Sequence, residues 1–242
     1  RRRRDRRPSR RITDWPLDPA ELADPLGLSR LGLLGISGGA PCAVACAGAI
    51  PERITAIGIV CGLGRADRSE FTAHMNRIAR ASFAVARAAP ALSKLITRAF
   101  APLMRSNPWL TLRLLAARLP RPDRDALSRP EVFGKFADSI REGLRQGGRG
   151  VALDLTLYAQ PWATVVETIR VPGHLWHGEQ DTTVPVEMGK RLAAALPDCR
   201  ARFYPDEGHF SLPVRKLEEI LATLAARERS EEHTSELQSL AY

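Results

Sequence analysis

The chain has 242 residues, 44% of them apolar, enough for one domain with a substantial core and room for an inserted subdomain. Its formal charge of +9 is concentrated, because Arg1–Arg11 holds eight arginines and one aspartate (Asp5), a local +7 that leaves only +2 elsewhere. That distribution reads as a solvated, disordered basic arm over residues 1–13, not as a nucleic-acid-binding domain. No apolar run approaches the roughly 18 residues of a membrane span, since even Ala40–Ile50 stops at Pro51. Ser9-Arg10-Arg11 is not an export signal, because Asp14, Pro16, Asp18 and Pro19 interrupt what would have to be an apolar segment. The expectation is a cytoplasmic protein with no nucleic-acid or membrane partner; oligomeric state is not readable. Cys42, Cys46, Cys61 and Cys199 show no metal-ligand spacing and no disulfide framework. The first three read as small core residues, and Cys199 falls near a turn.

In chain order, Trp15 to Leu28 predicts a short helix with Leu22, Ala23 and Leu26 as its apolar contacts, weakened by Pro25. Leu31–Ile36 is an apolar run of strand length. It turns through Gly35-Ile36-Ser37-Gly38-Gly39 into a helix of small residues that includes Ala43, Val44 and Ala47. Ile54–Cys61 is a second such run, so residues 14–64 form a strand–helix–strand unit of the kind that builds parallel sheets. From 65 to 150 strand-like runs vanish. Leu92, Leu95, Ile96, Phe100 and Leu103 repeat at helical spacing, as do Leu110, Leu114 and Leu115, with Pro90, Pro102, Pro108 and Pro120 as punctuation. This segment predicts a helical cap over the serine, with Phe83, Phe100, Trp109 and Phe133 as candidates for an apolar substrate wall. For any single one of them, plain helix–helix packing is the simpler reading. Alternation returns over 151–228. There is a helix at Ala152–Tyr158, a strand at His174–His177, and a helix opened by Pro185 with Met188, Leu192 and Leu196 inward. A strand at Ala201–Tyr204 and a closing helix with Leu217, Ile220, Leu221 and Leu224 on one face complete it. Residues 229–242 break the pattern and read as a non-native tail similar to a translated sequencing adapter, so His233 carries no functional weight.

Gly-x-Ser-x-Gly between a strand and a helix is a nucleophile-elbow pattern. A serine hydroxyl is a poor nucleophile and must stand proud of the sheet where a base can reach it. Ser37 fits that position, and Gly38 N–H, at the start of a helix, suits a developing oxyanion. The base and its orienting acid should lie in later loops on the same sheet edge. Asp181 follows one predicted strand and His209 follows the next, in the order Ser37, Asp181, His209. Asp206, three residues from His209, reads as a capping or solvated acid. His177 looks structural at a strand end, and His74 and His174 look like surface or strand-edge residues.

Together, Gly35–Gly39 (GISGG), His177–Pro185 (HGEQDTTVP) and Asp206–Phe210 (DEGHF) make the chain resemble the α/β-hydrolase superfamily, in its capped, esterase-like branch, from about Ile12 to Arg227. The resemblance implies an α/β fold with a mostly parallel sheet. It makes Ser37 the nucleophile, His209 the base and then the acid, and Asp181 the orienting acid. The implied substrate is a small-molecule acyl compound, and neither a metal nor an organic cofactor is implied. A serine at the elbow argues against the epoxide-hydrolase and haloalkane-dehalogenase branches. An aminopeptidase or cofactor-free haloperoxidase on the same triad stays open, as does a non-catalytic binding protein of this fold. The family pattern has several strands and a second oxyanion donor before the elbow. Only about thirty residues precede it here and none reads as a strand, so the chain reads as N-terminally truncated and the fragment itself as an inactive alternative.

Overall fold

Apolar runs of six or seven residues form the strands Leu31–Ile36 and Ile54–Val60, while the strand Gly173–Gly178 (GHLWHG) carries two histidines and Cys199–Tyr204 (CRARFY) two arginines; alanine- and leucine-rich stretches form many of the helices. A computed structural model describes residues 11–161 and 166–239, with the side chains of Glu70 and 227–239 left aside. Most of the basic arm, residues 1–10, and the tail residues 240–242 lie outside the described residues. In chain order the elements are α1 (Leu17–Ala23), β1 (Leu31–Ile36), α2 (Ala40–Ala49), β2 (Ile54–Val60), α3 (Ser69–Thr72), α4 (Arg77–Ala88), α5 (Pro90–Ser106), α6 (Pro108–Ala116), α7 (Arg121–Leu127), α8 (Pro130–Gly143), α9 (Arg149–Tyr158), β3 (Gly173–Gly178), α10 (Val186–Ala195), β4 (Cys199–Tyr204) and α11 (Ser211–Ser239).

The four strands form one parallel sheet in the order β1-β2-β3-β4. Its two faces are set by alternation along the strands. Ile57, Ile59 and Leu175 pack with Ala43, Val44 and Ala47 of α2 and Leu192 of α10. Ala56, Val60 and Trp176 face Leu212, Ile220 and Leu224 of α11. Every residue of β2 and β3 is buried, as expected for central strands covered on both faces. Because all four strands run the same way, the loops after Ile36, Val60, Gly178 and Tyr204 gather on one edge.

Several sequence expectations change. Leu22 and Leu26 are exposed, and only Ala23 is buried, because the helix ends there and a 3-10 turn follows at Asp24–Leu26. Ile12, assigned to the arm, is buried against the α2 side of the core. β2 stops at Val60, since Cys61 turns out of the strand with φ +47°. His174 is buried on central strand β3 and stacks on Trp176, with ring centroids 5.7 Å apart. Cys199, expected near a turn, directly follows the bend at 196–198 and opens β4. α9 begins at Arg149, earlier than its apolar pattern indicates. α11 buries Ile220 and Leu224 but exposes Leu217 and Leu221, and its helical backbone continues through Ser239.

The largest departure is in the helical segment between β2 and β3. Pro90 and Pro108 open α5 and α6 at their first positions, and Pro102 lies inside α5. The apolar repeat of α5 is not buried between helices. Leu92, Leu95, Ile96, Phe100 and Leu103 are all exposed, and the helix packs through Ser93, Thr97 and Ala101 instead. Phe83 is buried with Leu63, Met75, Val184 and Met188, while Trp109 lies 5.2 Å from Phe133, centroid to centroid.

Candidate active site

The turn after β1 is tight. A Cβ on Gly35 would lie 2.7 Å from the carbonyl oxygen of Gly39, which no L side chain tolerates. Ser37 sits at φ +54°, in the left-handed region that β-carbon-bearing residues rarely adopt, so its side chain is turned away from the strand direction. Its carbonyl accepts from Ala40 N and from Leu63 N at 3.0 Å, which ties the turn to the loop after β2. Above the turn stands Tyr158, the last residue of α9. Its hydroxyl oxygen would be 2.6 Å from a Cβ on Gly38, so glycine is the residue that lets the tyrosine approach there. Burial, with the charge of Asp154, pushes the Tyr158 phenol well up, so it remains a protonated donor.

Asp181 lies three residues beyond β3 and is buried. One carboxylate oxygen, Oδ1, accepts from Thr183 N at 2.8 Å and Val184 N at 2.7 Å, while Oδ2 lies 2.7 Å from His209 Nδ1. Burial works to raise this carboxyl, but the charge of His209 and the hydrogen bonds of His177 and His209 outweigh it and hold it well below the usual carboxylate range. His209 is likewise buried. Desolvation works to lower its pKa, yet the charge and hydrogen bond of Asp181, with a further contribution from Asp123, leave it raised. With Nδ1 engaged by Asp181, Nε2 is the nitrogen left to handle a proton. His177 is fully buried beneath them, and its Nε2 lies 2.9 Å from Val184 O and 3.5 Å from Asp181 Oδ2. Asp206 is exposed and plays no part in this bond network.

The loop carrying His209 reaches back across the sheet. From the end of β4 it passes β3 to the end of β2, where Cys61 Sγ donates to Gly208 O at 3.6 Å. The imidazole is therefore brought to within one strand of the loop that holds Ser37. No hydrogen bond joins Ser37 to His209 among the described residues.

Two residues at this edge carry no motif. Asp123, from α7, is fully buried. Its Oδ2 accepts from His209 N at 3.0 Å and its Oδ1 from Phe210 N at 2.8 Å and Ser211 N at 2.9 Å. These are the free N–H groups at the start of α11, so a carboxylate from a distant helix caps them in place of a local side chain. Cys61 is the other. Its Sγ lies within 4.8 Å of ligand atoms of Asp181 and His209, a set that offers sulfur, oxygen and nitrogen. The 2.7 Å contact between Asp181 and His209 is shorter than the separation of two ligands around one tetrahedral zinc, roughly 3.3 Å for bonds of about 2.0 Å. Burial and the Asp181 charge also push the Cys61 thiol far up, so it stays protonated. The trio fits a proton-sharing pair beside a neutral thiol. Neither Asp123 nor Cys61 is visible in sequence spacing, since one acts through backbone groups and the other through a turn.

No helix among the described residues is long and apolar enough to cross a membrane. No protein-family model matches the sequence, and no curated protein matches it. Solved structures do resemble the fold. A thermophilic esterase from Thermogutta terrifontis is 23% identical with a TM-score of 0.61, over 91% of this chain and 73% of that one. A meta-cleavage product hydrolase is 14% identical with a TM-score of 0.62, over 94% and 75%. An N-acyl homoserine lactone degrading enzyme is 19% identical with a TM-score of 0.59, over 90% and 76%. The chain has the α/β-hydrolase fold, and these structural neighbours are hydrolases.

Proposed function

We propose that the protein is a serine hydrolase that cleaves a carboxylic ester, or a related acyl bond, of a small molecule through an acyl-enzyme. The observation that carries this reading is the buried 2.7 Å contact between Asp181 and His209, on the sheet edge that also holds the strained turn at Ser37. In the proposed cycle, Ser37 Oγ attacks the acyl carbon and its proton passes to His209 Nε2. Asp181, ionised, fixes the imidazole tautomer and stabilises the imidazolium. The tetrahedral oxyanion takes a hydrogen bond from Gly38 N–H. Collapse expels the alcohol, which leaves with the proton from His209. A water molecule then attacks the acyl-enzyme, its proton going to His209 and returning to Ser37 as the acid departs. The similarity to esterase structures supports this reading at the level of fold.

The test is covalent labelling of the full chain with a fluorophosphonate probe. Wild type should be marked, and Ser37→Ala should remain unmarked. Labelling of undiminished strength in Ser37→Ala removes this serine from the mechanism, and a wild type that stays unmarked leaves the non-catalytic α/β-hydrolase-fold reading in its place.

A further inference from the structure

The stretch from residue 77 to 119, which contains α4, α5 and α6, holds eight cationic side chains (Arg77, Arg80, Arg87, Lys94, Arg98, Arg105, Arg113 and Arg118) and no aspartate or glutamate. Its central helix has three faces. At 100° per residue, the small residues Ser93, Thr97 and Ala101 fall on one arc; Ser93 and Ala101 are buried, and Thr97 and Ala101 lie against Gly148. Leu92, Leu95, Ile96, Phe100 and Leu103 fall on a second arc and are exposed, Leu95 by 65% and Leu103 by 64%. Lys94, Arg98 and Arg105 fall on a third arc beside that stripe. No carboxylate pairs with them among the described residues, and all three are exposed. Large apolar side chains left in water on this scale are costly unless something covers them.

The charge decides what covers them. A second copy would bring an equally cationic, acid-free face against this one, and nucleic acid would neutralise the cations while leaving the leucines wet. An anionic bilayer satisfies both, because acyl chains take the apolar stripe while the headgroups meet the cations. We propose that α5, with its neighbours α4 and α6, is a docking surface for an anionic lipid membrane, on which α5 lies in the plane of the interface. Leu92, Leu95, Ile96, Phe100 and Leu103 enter the acyl boundary. Lys94, Arg98 and Arg105 extend their aliphatic stems along it and place their charges among the headgroups. The exclusion of a membrane partner from the sequence rested on the lack of a spanning run, and a helix lying on the surface needs none. The inference does not depend on the hydrolase reading.

The experiment is co-sedimentation of the full chain with vesicles of phosphatidylcholine alone and of phosphatidylcholine mixed with phosphatidylserine, at low and high salt. Wild type should bind the mixed vesicles at least about tenfold more tightly, and salt should weaken that binding. The triple variant Leu95→Ser, Phe100→Ser, Leu103→Ser alters only exposed side chains and should bind about a hundredfold more weakly with an unchanged melting profile. The triple variant Lys94→Glu, Arg98→Glu, Arg105→Glu should lose the preference for phosphatidylserine, and it reads the same surface if the serine variant does not fold. Equal binding to both vesicle types overturns the proposal. So does wild-type binding by the serine variant, which would assign the attraction to Arg1–Arg11. Concentration-dependent dimerisation that this variant abolishes, without vesicle binding, overturns it in favour of a second copy.

Discussion

At the scale of single residues, the pairing of Asp181 with His209 makes a directional prediction about pH. In the proposed role of base His209 acts only when neutral, and the Asp181 carboxylate holds its proton on above the ordinary histidine value of about 6.5. The rate of fluorophosphonate labelling should therefore rise with pH, with a midpoint on the alkaline side of 6.5. Asp181→Asn removes the charge that retains the proton and presents an amide to Nδ1. The midpoint should move to lower pH, and the limiting rate should fall by about 10³–10⁴. A midpoint unchanged in Asp181→Asn would separate His209 from Asp181 in function. Ser37, Asp181 and His209 stand out as candidates in the sequence because each lies in a short motif just beyond a strand, and strand ends in a parallel sheet share an edge; the structure brings Asp181 and His209 into contact. The choice of Asp181 over Asp206 also follows from loop position, and the structure puts the former on the imidazole and the latter in solvent. Tyr158 is not legible, since nothing in its local sequence records that it stands over Gly38.

At the scale of elements, two glycines that look alike in sequence differ in what surrounds them. A Cβ on Gly35 meets the Gly39 carbonyl oxygen at 2.7 Å and its carbon at 2.8 Å, both backbone atoms of the turn itself. A Cβ on Gly58 meets only side-chain atoms, the movable ends Leu224 Cδ1 at 2.9 Å and Leu34 Cδ1 at 3.0 Å and the ring edge Trp176 Cζ3 at 3.2 Å. Gly35→Ala should therefore cost about 3 kcal/mol, since only the turn can yield, and should abolish labelling by moving Ser37. Gly58→Ala should cost about 1 kcal/mol and leave labelling intact. Urea midpoints and probe labelling of the two variants check this, and equal losses would mean that the turn relaxes freely. β1 and β2 are legible almost to the residue because they are continuous apolar runs, whereas β4 alternates arginines with apolar residues and begins at Cys199, two residues before the apolar signal at Ala201. The helices between β2 and β3 are legible in type but not in orientation. Periodicity identifies an apolar stripe on α5, yet the face that packs is set by how closely a neighbour approaches. Gly148, which caps α9, comes so near that a Cβ on it would lie 2.8 Å from both Ala101 Cβ and Thr97 O, so small residues face it there.

At the scale of the whole molecule, the helices between β2 and β3 are fastened to the sheet edge at the candidate site. Asp123 on α7 holds three successive amides of the His209 loop, and Phe210 packs with Leu112, Leu119 and Leu127 of the same helical segment. The imidazole is thus held through its ring by Asp181 after β3 and through its backbone by a carboxylate from the far side of the chain. This coupling escapes a reading by motif, because a side chain that accepts from main-chain amides constrains the identity of no residue opposite it. Asp123→Asn keeps the volume but turns one acceptor into a donor facing an N–H. It should cost about 1–2 kcal/mol in stability and slow labelling, while leaving the thermal transition single. Amide exchange should quicken at residues 209–211, where the three bonds are lost or weakened, and remain unchanged in β2 and β3. If exchange instead rises across α4 to α8 with residues 209–211 still protected, Asp123 stabilises the helical segment alone. The loop then keeps its geometry from β4 and Ser211, whose hydroxyl accepts from Gly208 N at 2.7 Å. Loosening confined to the loop, together with slower labelling, would make the α7 carboxylate the link by which movement of the helical segment reaches His209.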